Sequence, residues 1–141
     1  MFRLAAPAFA LFLIAASPGT ATVEVDISGL RNMRGQIHVC ITQNPAYFPD
    51  CRKDPRAIRQ SAPATTRELR FTGVAPGRYA VTLFHDENTN HRLDTAVGIP
   101  REGFGFSRNP KIRFGAPKFD AVSIELAPAF TRTAVHMQYL L

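Results

Sequence analysis

Along most of this chain, apolar residues return at every second position in short runs broken by Gly and Pro. This period of two argues for strands and against helices. Val23, Val25 and Ile27 alternate with Glu24, Asp26 and Ser28, and Ile37, Val39 and Ile41 alternate with Gln36, His38 and Cys40. Successive side chains of a strand point to opposite faces, so each run offers one face to a core. The connection from Gly29 to Gly35, with Gly at both ends and Asn32 inside, reads as that of an antiparallel hairpin. Glu68 to Phe71 and Arg78 to Phe84 read as a second hairpin across Ala75-Pro76-Gly77, where Pro presets one turn dihedral and Gly accepts a positive one. Tyr79 to Phe84 is apolar on both faces, as a central strand covered on both sides would be. Val122, Ile124 and Leu126 share one face, as do Val135, Met137, Tyr139 and Leu141, with Pro128 marking the turn between these last two strands.

Two stretches break the pattern. Gln43 to Thr66 is rich in Pro and basic residues and reads as a surface loop, with a helical turn near Ala57 to Gln60 as its one candidate element. Gly98 to Ser107 alternates Gly with Phe104 and Phe106, which are expected to plug the edge of the core. Six or seven short strands without a long helix predict an all-β chain, an antiparallel two-sheet sandwich of immunoglobulin-like or prealbumin-like type, with a barrel as the alternative.

The beginning of the chain bears on compartment. Arg3 precedes an apolar run from Leu4 to Ala16, and Gly19-Thr20-Ala21 supplies the small residues of a cleavage site. Residues 1–21 are therefore expected to be a signal peptide, and residues 22–141 a single domain of about 120 residues, a size suited to one core. The run is shorter than the roughly 20 residues of a bilayer span. Export agrees with cysteine usage: Cys40 and Cys51 are the two cysteines and can pair across a short loop in an oxidising compartment, two buried thiols being the alternative. The net charge of +6 falls to about +5 once Arg3 leaves. A basic exported protein meets anionic surfaces or acidic glycans rather than nucleic acid. Arg52, Lys53, Arg56 and Arg59 form the candidate anion contact, against the simpler reading of a solvated charge run.

The segment His85-Asp86-Glu87-Asn88-Thr89-Asn90-His91-Arg92-Leu93-Asp94 carries the densest chemistry. Asp86, Asn88 and Asn90 recur at i, i+2 and i+4 with Asp94 beyond, a spacing that can converge oxygens on calcium. His91 stands at the sixth position, where a sharp turn is needed, and Val97 stands where a closing Glu would complete an EF-hand loop. The competing reading is an Asx-rich turn that caps its own backbone. His85, His91 and Asp94 are a lesser candidate set for zinc or copper. His38 and His136 fall on polar strand faces and are expected at the surface. No catalytic constellation emerges, and the chain is not expected to be an enzyme. Ser107 lacks the following Gly of a nucleophile elbow, and Glu87, Asp94 and Glu102 have no legible pairing.

Val74-Ala75-Pro76-Gly77-Arg78-Tyr79-Ala80-Val81 resembles the Pro-Gly-x-Tyr segment of transthyretin-like and carboxypeptidase-regulatory-like sandwiches. That segment, His85-Asp86-Glu87-Asn88, Leu93-Asp94, Gly98-Ile99-Pro100 and Gly103-Phe104-Gly105-Phe106-Ser107 together resemble an exported bacterial family catalogued as domain of unknown function 2141. The sequence departs from that pattern at His91, where Gly is usual. The resemblance implies a periplasmic or secreted bacterial β-sandwich and carries no activity. The expected function is a binding or accessory module of the cell envelope for a glycan, peptide or protein partner, with calcium as a candidate cofactor. A structural interaction domain of an envelope assembly is the alternative.

Overall fold

The computed structural model describes residues 19–141. The leader assigned to residues 1–21 lies almost wholly outside them, and the first strand begins at Ala21. Strands β1 (Ala21–Ser28), β4 (Glu68–Val74) and β10 (Phe130–His136) form one sheet in the order β10-β1-β4. Strands β2 (Gln36–Thr42), β3 (Ile58–Pro63), β5 (Gly77–Asp86) and β8 (Phe104–Phe106) form a second in the order β3-β2-β5-β8. Strand β9 (Ile124–Leu126) pairs with Gly77–Tyr79 of β5, and β6 (Thr95–Ala96) and β7 (Ile99–Pro100) make a two-residue ladder. A single helical turn, α1 (Phe119–Val122), precedes β9.

The two sheets face each other across the alternating residues. Val23, Val25 and Ile27 of β1, Phe71 of β4 and Val135 of β10 pack against Ile37, Val39 and Ile41 of β2 and Tyr79, Val81 and Leu83 of β5. The expected all-β sandwich is the observed architecture. Most ladders are antiparallel, but β1 and β10 run parallel, from Thr22 opposite Phe130 to Ser28 opposite His136.

Two connections read as hairpins, and the turn read at Pro128, pass instead from one sheet to the other. β1 pairs with β4 and β10 while β2 pairs with β3 and β5, so the Gly29–Gly35 segment crosses from one sheet to the other. The same holds for β4 to β5 across Pro76-Gly77 and for β9 to β10 across Pro128. Alternation determines which residues face the core but is silent about which strand lies alongside. At the β4–β5 corner the Tyr79 hydroxyl donates to the Ala75 carbonyl at 2.6 Å, a tyrosine-corner bond that pins the change of sheet. This is a physical reason for Tyr two residues after Pro-Gly.

The stretch from Gln43 to Thr66 also differs from expectation. It contains a 3-10 turn at Pro45–Tyr47 and the strand β3, and no helical turn at Ala57 to Gln60. Arg59, Gln60 and Ser61 are consecutive exposed residues because β3 is an edge strand, and polar edges of this kind discourage pairing with another chain. Phe104 and Phe106 are buried as expected. They pack with Ala80, Val122, Phe48 and Phe119 in a second, smaller cluster. Gly105 between them faces β10, where an added Cβ would come within 2.6 Å of Val135. Gly is required there because the two strand edges meet, bridged by backbone hydrogen bonds between Phe104 and Gln138.

Candidate functional site

The inner faces are filled with side chains, so a site must lie on an outer face. On β2 and β5 the residues between the core positions, His38, Cys40, Thr82 and Phe84, point away from the sandwich. They do not meet open solvent across their full extent. Loops on three sides raise walls around them and leave a cleft of about 940 Å3, a size within the ordinary range for small-molecule sites. Phe84, Phe104 and Phe106 line its apolar part, and Arg52, Arg59, Arg92 and Arg113 stand around it.

One wall is the segment after β2. Cys40 and Cys51 are joined by a disulfide, with Cα atoms 6.6 Å apart, which ties this segment to the sheet. Asp54 is buried beneath it, where its carboxylate accepts from the Thr42 hydroxyl at 2.5 Å and from the Arg56 N–H at 2.9 Å. The Thr42 bond, then the Arg56 N–H, hold the Asp54 carboxyl below the usual carboxylate range. Of the four basic residues singled out in sequence, Arg52 and Arg59 line the cleft and Lys53 and Arg56 do not. Arg52 pairs with Asp50 at 2.6 Å. Among the described residues Arg59, Arg92 and Arg113 have no carboxylate partner within salt-bridge distance.

The opposite wall is the loop after β5. Its backbone makes a left-handed turn at Thr89 (φ 56°) and again at His91 (φ 63°), so the sharp sixth position is present without glycine. Two buried carboxylates hold it. Asp86 accepts from the N–H groups of Asn90 at 3.1 Å and His91 at 2.8 Å, while Glu102 accepts from those of Glu87 at 3.0 Å and Asp94 at 3.1 Å. Asn88 and Asn90 direct their amide nitrogens to Asp94 at 2.6 and 2.7 Å. The four calcium candidates are thus adjacent, and they satisfy one another and the loop backbone as an Asx network. Glu102 was not legible as a member of this network, since sequence distance hides a carboxylate that reaches back 15 residues.

The histidines are rearranged relative to expectation. His85 is buried in the interior, with Nδ1 2.8 Å from the Tyr139 hydroxyl and Nε2 2.7 Å from the Arg34 carbonyl, so it does not join His91 and Asp94. His38, expected at the surface, is largely covered. Its Nε2 lies 2.8 Å from Asp86 Oδ2 and its Nδ1 2.6 Å from Ser61 Oγ. The His91 ring stands 5.5 Å away, centroid to centroid. Burial pushes the Asp86 carboxyl up, but hydrogen bonds from His38, His91 and Asn90 outweigh it and hold the group below the ordinary range. Ser107, weighed above as a nucleophile, is buried and joins β5 to α1, accepting from the Val81 N–H and donating to the Val122 carbonyl.

Residues 25–134 match the model of a family described as uncharacterized proteins conserved in bacteria, domain of unknown function 2141. The chain belongs to that family. No curated protein and no solved structure matches it. The matched span runs from the middle of β1 to near the end of β10 and takes in every strand that forms the cleft.

Proposed function

We propose that this family member is an exported envelope binding module that takes an amphiphilic ligand, an apolar body bearing an anionic group, into the cleft outside β2, β5 and β8. The observation that carries the reading is the pairing of an apolar, aromatic floor with a cationic surround in one concave site. Phe114, 97% exposed, and Ile99, Leu140 and Leu141 extend the apolar surface to the mouth of the cleft. Concentrated apolar exposure of this kind marks a contact surface. Thr82 Oγ1 on the floor is buried without a hydrogen-bond partner, a polar atom that a ligand can satisfy. The leader-like beginning, the disulfide and the bacterial family favour an exported setting. On this reading the Asp86 to Asp94 loop serves as a wall held by its own Asx network, and calcium is not part of the site.

Dodecanoate, dodecanol and acetate separate the contributions. Dodecanoate should bind in titration calorimetry, dodecanol more weakly, and acetate not measurably. Arg59→Gln combined with Arg113→Gln should bring dodecanoate toward dodecanol while the fold is kept. Its affinity should also fall with added salt, since exposed charges are screened beyond about 8 to 10 Å at physiological ionic strength. Equal affinity in wild type and the double variant, or no binding of either long-chain compound, would overturn the amphiphile reading and favour an interaction domain without a small ligand.

A further inference from the structure

At one end of the cleft His38, Asp86 and His91 bring ligand-capable atoms within 4.8 Å of one another. They come from β2, the last residue of β5 and the following loop, elements that meet only in the folded chain. We propose that these three residues form a site for a divalent ion of the zinc type, with its open coordination facing the cleft. Two imidazoles and one carboxylate suit such ions better than calcium, which prefers an all-oxygen shell. His38 and His91 line the cleft while Asp86 lies beneath, so solvent or a ligand group reaches the ion from the cleft side.

The surroundings of the trio match what ligands of a bound ion need. Ser61 Oγ, 2.6 Å from His38 Nδ1, can accept its proton and leave the Nε2 lone pair directed at Asp86. A lone pair and a carboxylate oxygen 2.8 Å apart require a positive centre between them, a proton or a metal. Tetrahedral donors around zinc stand roughly 3.3 Å apart for bonds of about 2.05 Å, so loading asks for a small parting of His38 and Asp86 and a side-chain adjustment that draws in donors now up to 4.8 Å apart. The Asn90 and His91 N–H groups each occupy one site on the Asp86 oxygens, which orients the carboxylate without exhausting its acceptors. The left-handed backbone at His91 turns the chain so that this ring stands beside His38.

The site does not depend on what fills the cleft, and its failure would leave the amphiphile reading untouched. The test is titration of the disulfide-intact chain, free of any polyhistidine tag, with Co2+ and then Zn2+. Co2+ should give the visible absorption of a nitrogen- and oxygen-bound ion, and Zn2+ should displace it. His91→Gly retains the positive-φ turn while removing one ligand, and it should weaken Co2+ binding by more than about tenfold. His38→Gln should do the same. Ser61→Ala should lower affinity with the Co2+ spectrum retained, and His136→Ala, on the other sheet, should leave both unchanged. Neither ion binding at submillimolar concentration, or His91→Gly binding as tightly as wild type, would overturn the assignment.

Discussion

The two outer faces of the sandwich deal with charge in opposite ways. Outside the β10-β1-β4 sheet, Glu24 is buried among its neighbours and is held by Arg70 at 2.8 Å and Arg132 at 2.9 Å. Both guanidinium groups also approach the Phe130 ring, at 5.4 and 5.9 Å. Arg132 reaches Asp26 as well, at 3.4 Å, so both guanidinium groups are committed to carboxylates and this paired network closes the face. Outside the β2-β5 sheet, Arg59, Arg92 and Arg113 stand around an apolar floor without a carboxylate partner among the described residues. Arginines committed to carboxylates on one face and three left without a carboxylate on the other distinguish a stabilising surface from a recognition surface.

The largest expected effect breaks the wall of the open face. Opening the Cys40–Cys51 bond, by reduction or by Cys40→Ala with Cys51→Ala, should cost about 3 kcal/mol in the chain-entropy model for a loop of this size. It should also weaken amphiphile binding, because Arg52 loses its anchorage beside the cleft. Denaturant unfolding with a parallel ligand titration checks both. Undiminished binding after reduction would show that the wall stands without its covalent tie.

Next comes Asp86→Ala, which removes the acceptor for three donors at the end of the same cleft and should cost about 1 to 3 kcal/mol through the groups left unsatisfied. Millimolar calcium should leave the melting temperature unchanged in both wild type and variant. A rise of several degrees in calcium that is lost in Asp86→Ala would instead establish the loop as a calcium site.

Smaller effects are expected on the closed face. Arg132→Gln should reduce stability less than Asp86→Ala, and dodecanoate affinity should stay the same, since the remaining Arg70 still holds Glu24. Acid engages both faces. The Arg70 hydrogen bond to Glu24, and the donors around Asp86 that outweigh its burial, hold these carboxyls below their ordinary values in the folded chain. The stability they contribute is therefore complete above the unfolded values of about 4, and it is lost as pH falls through the lowered folded values. Unfolding monitored against pH should show this loss below about pH 4. A stability that is flat through that window would contradict the sign.

What the sequence determined by itself was periodicity, and periodicity is a local property. The inward residues of β1, β2 and β5, the central place of β5 in its sheet, and the buried Phe104 and Phe106 all agree with the alternation of side chains about a strand axis. The closeness of Cys40 to Cys51 and the crowding of Asx residues after β5 were legible for the same reason, being short-range in the chain. Tertiary structure alone decided the partners. Pairing of the first strand with the last, β3 as an edge strand, Glu102 reaching back to the Asp86 loop and His38 meeting Asp86 and His91 join residues far apart in sequence. Alternation carries no label for the neighbouring strand, and a polar residue on an outward face reads the same whether that face meets water or, as at His38, a wall of folded loops.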